Sequence, residues 1–294
     1  MIPNKKTLIF AISLISNFFY SLSYAHQPVM DMAPRWEEGY GFQLRQESFG
    51  SDKLMNGNSK TSNPLGLKRY VNITWLEGVY TFKPSTRITF KMPYVNQSRT
   101  KNVNAQAVKQ KNSGVGDLIF GVPLKYYRNN GAITDNFSFT PSIRIPTGSS
   151  SGDFPISDGS LDLGLSFSHS LETPKYYTLV DLFYWINNEG KYGMHEGNEL
   201  GLDVNLGYHP YHNNDNNTGI FMMLDISARH NEKPNSVTLT TASGGKRIQT
   251  GPVLMLYKDN IMLRAEYKFL AYEKINAVGL SRGNEFSAAI GITF

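Results

Sequence analysis

The sequence predicts an all-β fold: an antiparallel transmembrane β-barrel of about 12 strands after a cleaved signal peptide. Three observations predict it. Apolar and polar residues alternate with a period of two through one segment after another. The connections between these segments alternate between long and short. The chain stops at Phe294, at the end of a segment whose apolar residues share one face.

Residues 1–25 carry Lys5 and Lys6, then a mostly apolar stretch over 7–22, then Ser23-Tyr24-Ala25. Small residues stand at the two positions a signal peptidase reads. This is the pattern of a secretory signal peptide, with His26 as the expected mature start. Ser and Asn interrupt the apolar core, which is short for a membrane span of ~20 residues. Residues 26–38, HQPVMDMAPRWEE, are too punctuated by proline for a helix. They read as a periplasmic arm or plug, with Met30, Met32 and Trp36 able to enter the lumen, or as a tether on the rim. Residues 39–294 are the barrel.

Candidate strands are 39–50, 67–82, 87–97, 115–128, 136–146, 161–171, 176–187, 198–211, 218–230, 246–257, 261–272 and 284–294. Each is long enough to cross a bilayer when tilted. Segment 199–208 is the clearest. Leu200, Leu202, Val204, Leu206 and Tyr208 alternate with Glu199, Gly201, Asp203, Asn205 and Gly207. The long connections 51–66, 98–114, 147–160, 188–197, 231–245 and 273–283 are assigned to the outside. Shorter ones such as 83–86, 172–175 and 258–260 go to the periplasm, together with both termini. Strand two is ambiguous: Trp75 and Glu77 share a phase, which suggests a bulge near Glu77-Gly78.

In the last segment Phe286, Ala288, Ile290, Ile292 and Phe294 share a face. This ending resembles the β-signal recognised in outer-membrane assembly. Aromatics gather at segment ends, where an interfacial girdle belongs. Tyr80, Phe82, Tyr126, Tyr127, Phe137, Phe139, Tyr176, Tyr177, Tyr208, Tyr211, Tyr257 and Phe294 fall at the periplasmic ends. Tyr70, Tyr94, Tyr184, Trp185 and Tyr272 fall nearer the outer ends.

A charge facing lipid costs roughly 2–4 kcal/mol at the bilayer midplane, so charged residues set the inward phase. That phase contains Arg45, Glu47, Lys91, Lys125, Arg144, Asp162, Asp181, Asp203, Asp225, Arg229, Arg264, Glu266 and Lys268, with Trp185 on the face of Asp181. These are the candidate lumen-lining, selectivity-setting residues. Both signs are present, so the lumen reads as an ion-paired network rather than a basic funnel.

Composition narrows the function. Lys and Arg number 29 against 24 Asp and Glu, and removal of residues 1–25 takes away two lysines. The remaining excess is too small for a nucleic-acid binder. Absence of cysteine excludes a disulfide scaffold and a zinc-thiolate site. Catalytic motifs fail on inspection. Gly148-Ser149-Ser150-Ser151-Gly152 has the spacing of a nucleophile elbow but no helix after it. His195-Glu196 lacks the second histidine of a zincin, since residue 199 is Glu. His209, His212 and Asp215 read as a polar turn. In outer-membrane phospholipases a serine stands two after the histidine; here that position is Leu171.

The segments QPVMDMAPRWEEGYGFQ (27–43), GVGDLIFGVPLKYY (114–127) and PTGSSSG (146–152), with the closing β-signal, are carried in this order. In them the chain resembles the phenol-degradation (meta-pathway) family of transporter-like outer-membrane proteins, over its whole mature length. The resemblance implies a barrel and an association with uptake of aromatic or other hydrophobic small molecules. It implies no catalytic residues. Gly114, Gly116 and Asp117 match its motif, as a tight entry into a strand with an inward carboxylate.

The expectation is therefore a passive channel in a Gram-negative-type outer membrane. It takes small, hydrophobic or aromatic molecules, without catalysis, cofactor or metal. The alternatives are a non-conducting structural or adhesive surface barrel, or a nucleoside- or oligosaccharide-type pore. Expected partners are outer-membrane lipid, the barrel-assembly machinery and a small-molecule substrate, and no nucleic acid.

Overall fold

The computed structural model describes residues 33–294 apart from 104–105, 152–154, 214, 234, 237–243 and 277. The expected signal peptide, Met30 and Met32 lie outside the described residues.

Twelve antiparallel strands form a closed barrel. In chain order they are β1 (Tyr40–Ser51), β2 (Lys68–Lys83), β3 (Thr86–Val103), β4, β5 (Ile133–Ile145), β6 (Asp162–Glu172), β7 (Tyr176–Ile186), β8 (Glu199–Asn213), β9 (Thr218–Asn231), β10 (Gly245–Lys258), β11 (Ile261–Ile275) and β12 (Glu285–Thr293). β4 comes in three pieces, Gln106–Val115, Leu118–Gly121 and Leu124–Asn130. Each strand pairs with its chain neighbours, and β12 pairs with β1 to close the ring. Closure leaves the barrel wall without an unpaired edge among the described residues, which is what lets strands cross a membrane.

Along each strand, buried inward positions alternate with exposed outward ones. The outward face is apolar: Leu163 and Phe167 on β6, Leu206 on β8 and Ile290 on β12 are all exposed. In the closing strand Phe286, Ile290 and Phe294 point outward. Phe294 stacks on Tyr40 across the seam, with ring centroids 5.1 Å apart. Tyr80 against Phe82 and Tyr176 against Tyr208 continue an outward aromatic ring along the periplasmic edge.

The structure corrects four readings. Tyr127, Tyr177, Tyr257 and Trp185 do not belong to the girdles; all four line the interior. Strand-end position suggested a girdle, but phase decides the side. Second, Glu77 and Gly78 pair with Lys91 and Phe90 in continuous register, so there is no bulge there. Strand two is unambiguous because Val71, Ile73, Trp75, Glu77 and Val79 all point inward and are buried. Apart from Glu77, these inward positions are apolar, against the rule used to read the sequence. Third, most of the expected loop 98–114 is strand. β3 continues to Val103 and pairs with Gln106–Val115, so the β3–β4 hairpin projects beyond the wall. Its residues are polar on both faces, so it has no period to read. Fourth, the strand expected at 115–128 is broken at Gly116-Asp117 and at Val122-Pro123, where proline has no N–H for the ladder.

Two outer connections carry structure of their own. Leu54–Asn56, Ser59–Thr61 and Val278–Leu280 form a small sheet over Leu54 and Leu67. The loop at 146–161 turns into the barrel. Its Ile156 is buried on the inward faces of β1–β3, against Phe49, Val71, Ile73, Trp75 and Val95.

Candidate functional site

The interior is the candidate site. Arg45, Glu47, Lys91, Arg144, Asp181, Trp185, Asp203, Asp225, Arg229, Glu266 and Lys268 are buried inside the barrel. Lys125 and Arg264 are inward and half-buried. Trp36 lies at the mouth on the side of the short turns, half exposed, and lines the cavity with Ala33 and Arg35. The short segment 33–38 is fastened there by backbone bonds. Glu38 N donates to Thr81 O at 2.8 Å, and Thr81 Oγ1 donates to Pro34 O at 3.0 Å. Arg35 pairs with Glu172 at 2.5 Å, across the mouth on β6.

The middle and outer lumen is built of ion pairs. Arg45 bridges Glu47 (3.0 Å) and Glu77 (2.8 Å). Arg282 reaches Glu47 (3.3 Å) and Glu285 (2.9 Å). Lys268 bridges Asp225 (3.0 Å) and Glu266 (3.3 Å), and Arg264 lies 3.5 Å from Glu266. Arg229 holds Asp203 (2.7 Å) with Glu199 at 3.6 Å, and Arg144 holds Asp162 (3.1 Å). Strand register brings these residues together. Arg45, for instance, is opposite Trp75 on β2, one inward position from Glu77.

Several of these arginines also lie over aromatic rings. Arg144 is 4.6 Å from the Trp185 ring centroid, Arg229 is 4.8 Å from Phe183, and Arg45 is 5.2 Å from Trp75. The Trp185 and Phe183 rings lie flat on the wall because the facing strand carries glycine. A Cβ added at Gly164 would come within 2.8 Å of Trp185, and one at Gly201 within 2.1 Å of Phe183. Glycine, ring and guanidinium form a layered unit, repeated on neighbouring strand pairs, that fills the wall without crossing the lumen.

The inserted loop is latched by the residues of the two sequence motifs. The Asp117 carboxylate accepts from Ser157 Oγ (2.8 Å) and Gly148 N (3.0 Å). Ile156 N and Ser157 N donate to Ser149 O, and Gln97 Nε2 donates to Pro155 O at 2.9 Å. Farther along, Ser160 Oγ donates to both Asp158 (2.8 Å) and Asp162 (2.7 Å). Burial holds the Asp158 carboxyl above the usual range, and the Glu196 carboxyl is raised further by the same cause with Asp158 nearby.

Toward the end that carries the short turns the lumen opens into a cavity of about 990 Å³. One wall is hydroxyl-rich: Ser138, Thr140 and Ser142 on β5 and Ser166, Ser168 and Ser170 on β6. Elsewhere the lining mixes apolar and aromatic groups such as Trp75, Val79, Leu179 and Tyr177 with the charged side chains of Arg87, Lys91, Lys125 and Asp181. At its lower edge His212 Nδ1 and His209 Nε2 meet the Tyr257 hydroxyl at 2.6 and 3.1 Å, and His209 stacks on Phe221.

Sequence reasoning missed several interior residues. Glu77 was set aside by the ambiguous strand, and Arg282 fell in an expected loop. Glu199, Arg87 and Glu285 stand in the inward phase of segments already recognised, so counting every charge in phase would have found them. The rejected motifs have other roles. His195 bonds the Asn187 carbonyl at 2.7 Å, and His169 bonds Asp135 at 2.8 Å on the outer wall.

The profile of the family described as "Putative MetA-pathway of phenol degradation" matches residues 50–269. The fold is similar to an outer membrane channel from Pseudomonas putida F1, with 15% identity and a TM-score of 0.69, over 92% of this chain and 100% of that one. It is also similar to the translocator domain of autotransporter NalP from Neisseria meningitidis, with 10% identity and a TM-score of 0.48, over 99% of this chain and 95% of that one. No curated protein matches the chain.

Proposed function

The chain belongs to the MetA-pathway phenol-degradation family and is an outer-membrane β-barrel, and from that premise we propose that it is a passive channel for small hydrophobic or aromatic molecules. The observation that carries this reading is the cavity of about 990 Å³ inside a closed barrel. It is of the size that holds a small organic ligand, and its lining sets apolar and aromatic surface beside hydroxyl and charged groups. Transport is diffusion down a gradient. Residues 1–25 are the export signal in this reading. The face of Phe286, Ala288, Ile290, Ile292 and Phe294 is presented to the assembly machinery. The arm at 26–38 narrows the periplasmic mouth, and the lumenal charges named above set selectivity.

Conductance of the detergent-purified protein in a planar bilayer tests the reading, beside a variant whose mature chain begins at Glu38. Discrete steps in the full chain establish an open pore, and larger steps in the shortened one identify the arm as a plug. Silence from both, with β-structure confirmed by circular dichroism, overturns the channel reading in favour of a non-conducting surface barrel.

A further inference from the structure

The cavity is not neutral. Arg35 is matched by Glu172 at the mouth. Lys91 has Glu77 opposite it in register and Asp181 among its near charges. Arg87 and Lys125 make no ion pair among the described residues, and on Lys125 the like charges of Arg87 and Arg35 outweigh the opposite charge of Asp181. Arg87 is 3% exposed, donates from Nη2 to the Tyr127 hydroxyl (2.9 Å), and leaves its buried Nε–H without an acceptor among the described residues. The Lys125 ammonium makes no ion pair or side-chain hydrogen bond within the described structure, and Arg87 and Arg35 both act on it as like charges.

The placement follows from topology. Thr86 on β3 pairs with Leu124 on β4, so the next inward positions, Arg87 and Lys125, stand on adjacent strands beside the break at Pro123. Two cations held together without an anion are costly in a confined space and favour a bound counter-ion. Every other cationic cluster described above carries its own carboxylates. In the same cavity, Val79, Pro123 and Leu179 offer apolar surface and the serines of β5 and β6 offer hydroxyls.

We propose that Arg87 and Lys125 form a carboxylate-binding subsite, which selects small organic acids with an aromatic-sized apolar body among the molecules that enter. The carboxylate lies between the guanidinium Nε–H and the ammonium, as charge-assisted hydrogen bonding favours. The apolar body lies toward Val79 and Leu179. This rests on the channel reading for its consequence, but the subsite itself is an equilibrium property.

Trp36, Trp75 and Trp185 all line the cavity, so their fluorescence reports occupancy. The probe is 4-nitrobenzoate, a quencher, with neutral 4-nitrobenzyl alcohol as its control, on the whole detergent-solubilised protein. The expected result is quenching that saturates at least tenfold lower in concentration for the acid than for the alcohol. Arg87→Gln with Lys125→Gln should remove that preference and leave alcohol quenching unchanged. Lys125→Gln alone, at a half-buried position that disturbs folding less, should lower the preference severalfold. Equal affinity for acid and alcohol in the wild-type protein, or a preference that survives the double substitution, overturns the subsite. Bilayer conductance is read in parallel. Current without acid preference removes the subsite and leaves the channel; acid preference without current keeps the subsite and removes the channel.

Discussion

The outer and periplasmic halves of the lumen hold charge in opposite ways. In the outer half, Arg144 and Arg229 lie between a carboxylate and a ring that rests on glycine, and an outer loop is packed in beside them. In the periplasmic half, Arg87 and Lys125 line open space and make no ion pair among the described residues. The difference teaches how an inward-facing charge is to be interpreted. A buried pair is mostly a matter of architecture, because removing one partner strands the other. A charge at an open cavity without a partner is available to a ligand.

Truncation separates the halves most strongly. Arg229→Ala should leave Asp203 and Glu199 buried without their cation and cost about 3–5 kcal/mol, seen as a lower urea midpoint of the folded barrel. Lys125→Ala should move that midpoint by less than about 0.5 kcal/mol. A comparable loss at both positions would break the distinction.

The loop gives the next largest effect. Ile156 is 6% exposed among five inward apolar side chains, so Ile156→Ala should cost about 2–5 kcal/mol of loop anchoring. Step conductance should rise severalfold as the loop leaves the lumen. Unchanged conductance would show that the loop is a wall element rather than an obstruction.

Loop anchoring should also depend on pH. Burial raises the Asp158 and Glu196 carboxyls above their usual range. A group whose pKa is raised on folding adds stability that is full below its ordinary value and is lost as pH rises through the raised one. The loop should therefore be held best in acid and loosen as pH rises above the ordinary carboxylate range, with conductance increasing in the same direction. A flat profile, or one of opposite sign, would assign anchoring to the apolar contacts of Ile156 rather than to the buried carboxyls.

The smallest effect belongs to the lower edge of the cavity. Tyr257→Phe removes the hydroxyl shared by His209 and His212 and should cost about 1 kcal/mol, with little change in conductance. A large change in current would extend the functional surface to this edge.

Local pattern made much of this legible. The even strand count, the inward phase of Arg45, Asp203 and Lys268 and the outward face ending at Phe294 all follow from a period of two read against the cost of charge in lipid. The hairpin of β3 and β4 was hidden because neither of its faces is apolar beyond the membrane. Strand two was hidden because its inward face is apolar where Ile156 covers it. The Gly116-Asp117 and Pro146-Thr147-Gly148 motifs were visible, but nothing in either shows that one latches the loop of the other.

The sequence by itself determined which side of the wall each residue takes, because that choice is local and repeats every two residues. Only the tertiary structure decided which inward charges meet. Pairing depends on register between strands such as β1 and β2, and on connections that bring Arg282 to Glu47, 235 residues away. It also decided that two cations would stand together without a partner, because a break at Pro123 and the register of β3 with β4 place them there.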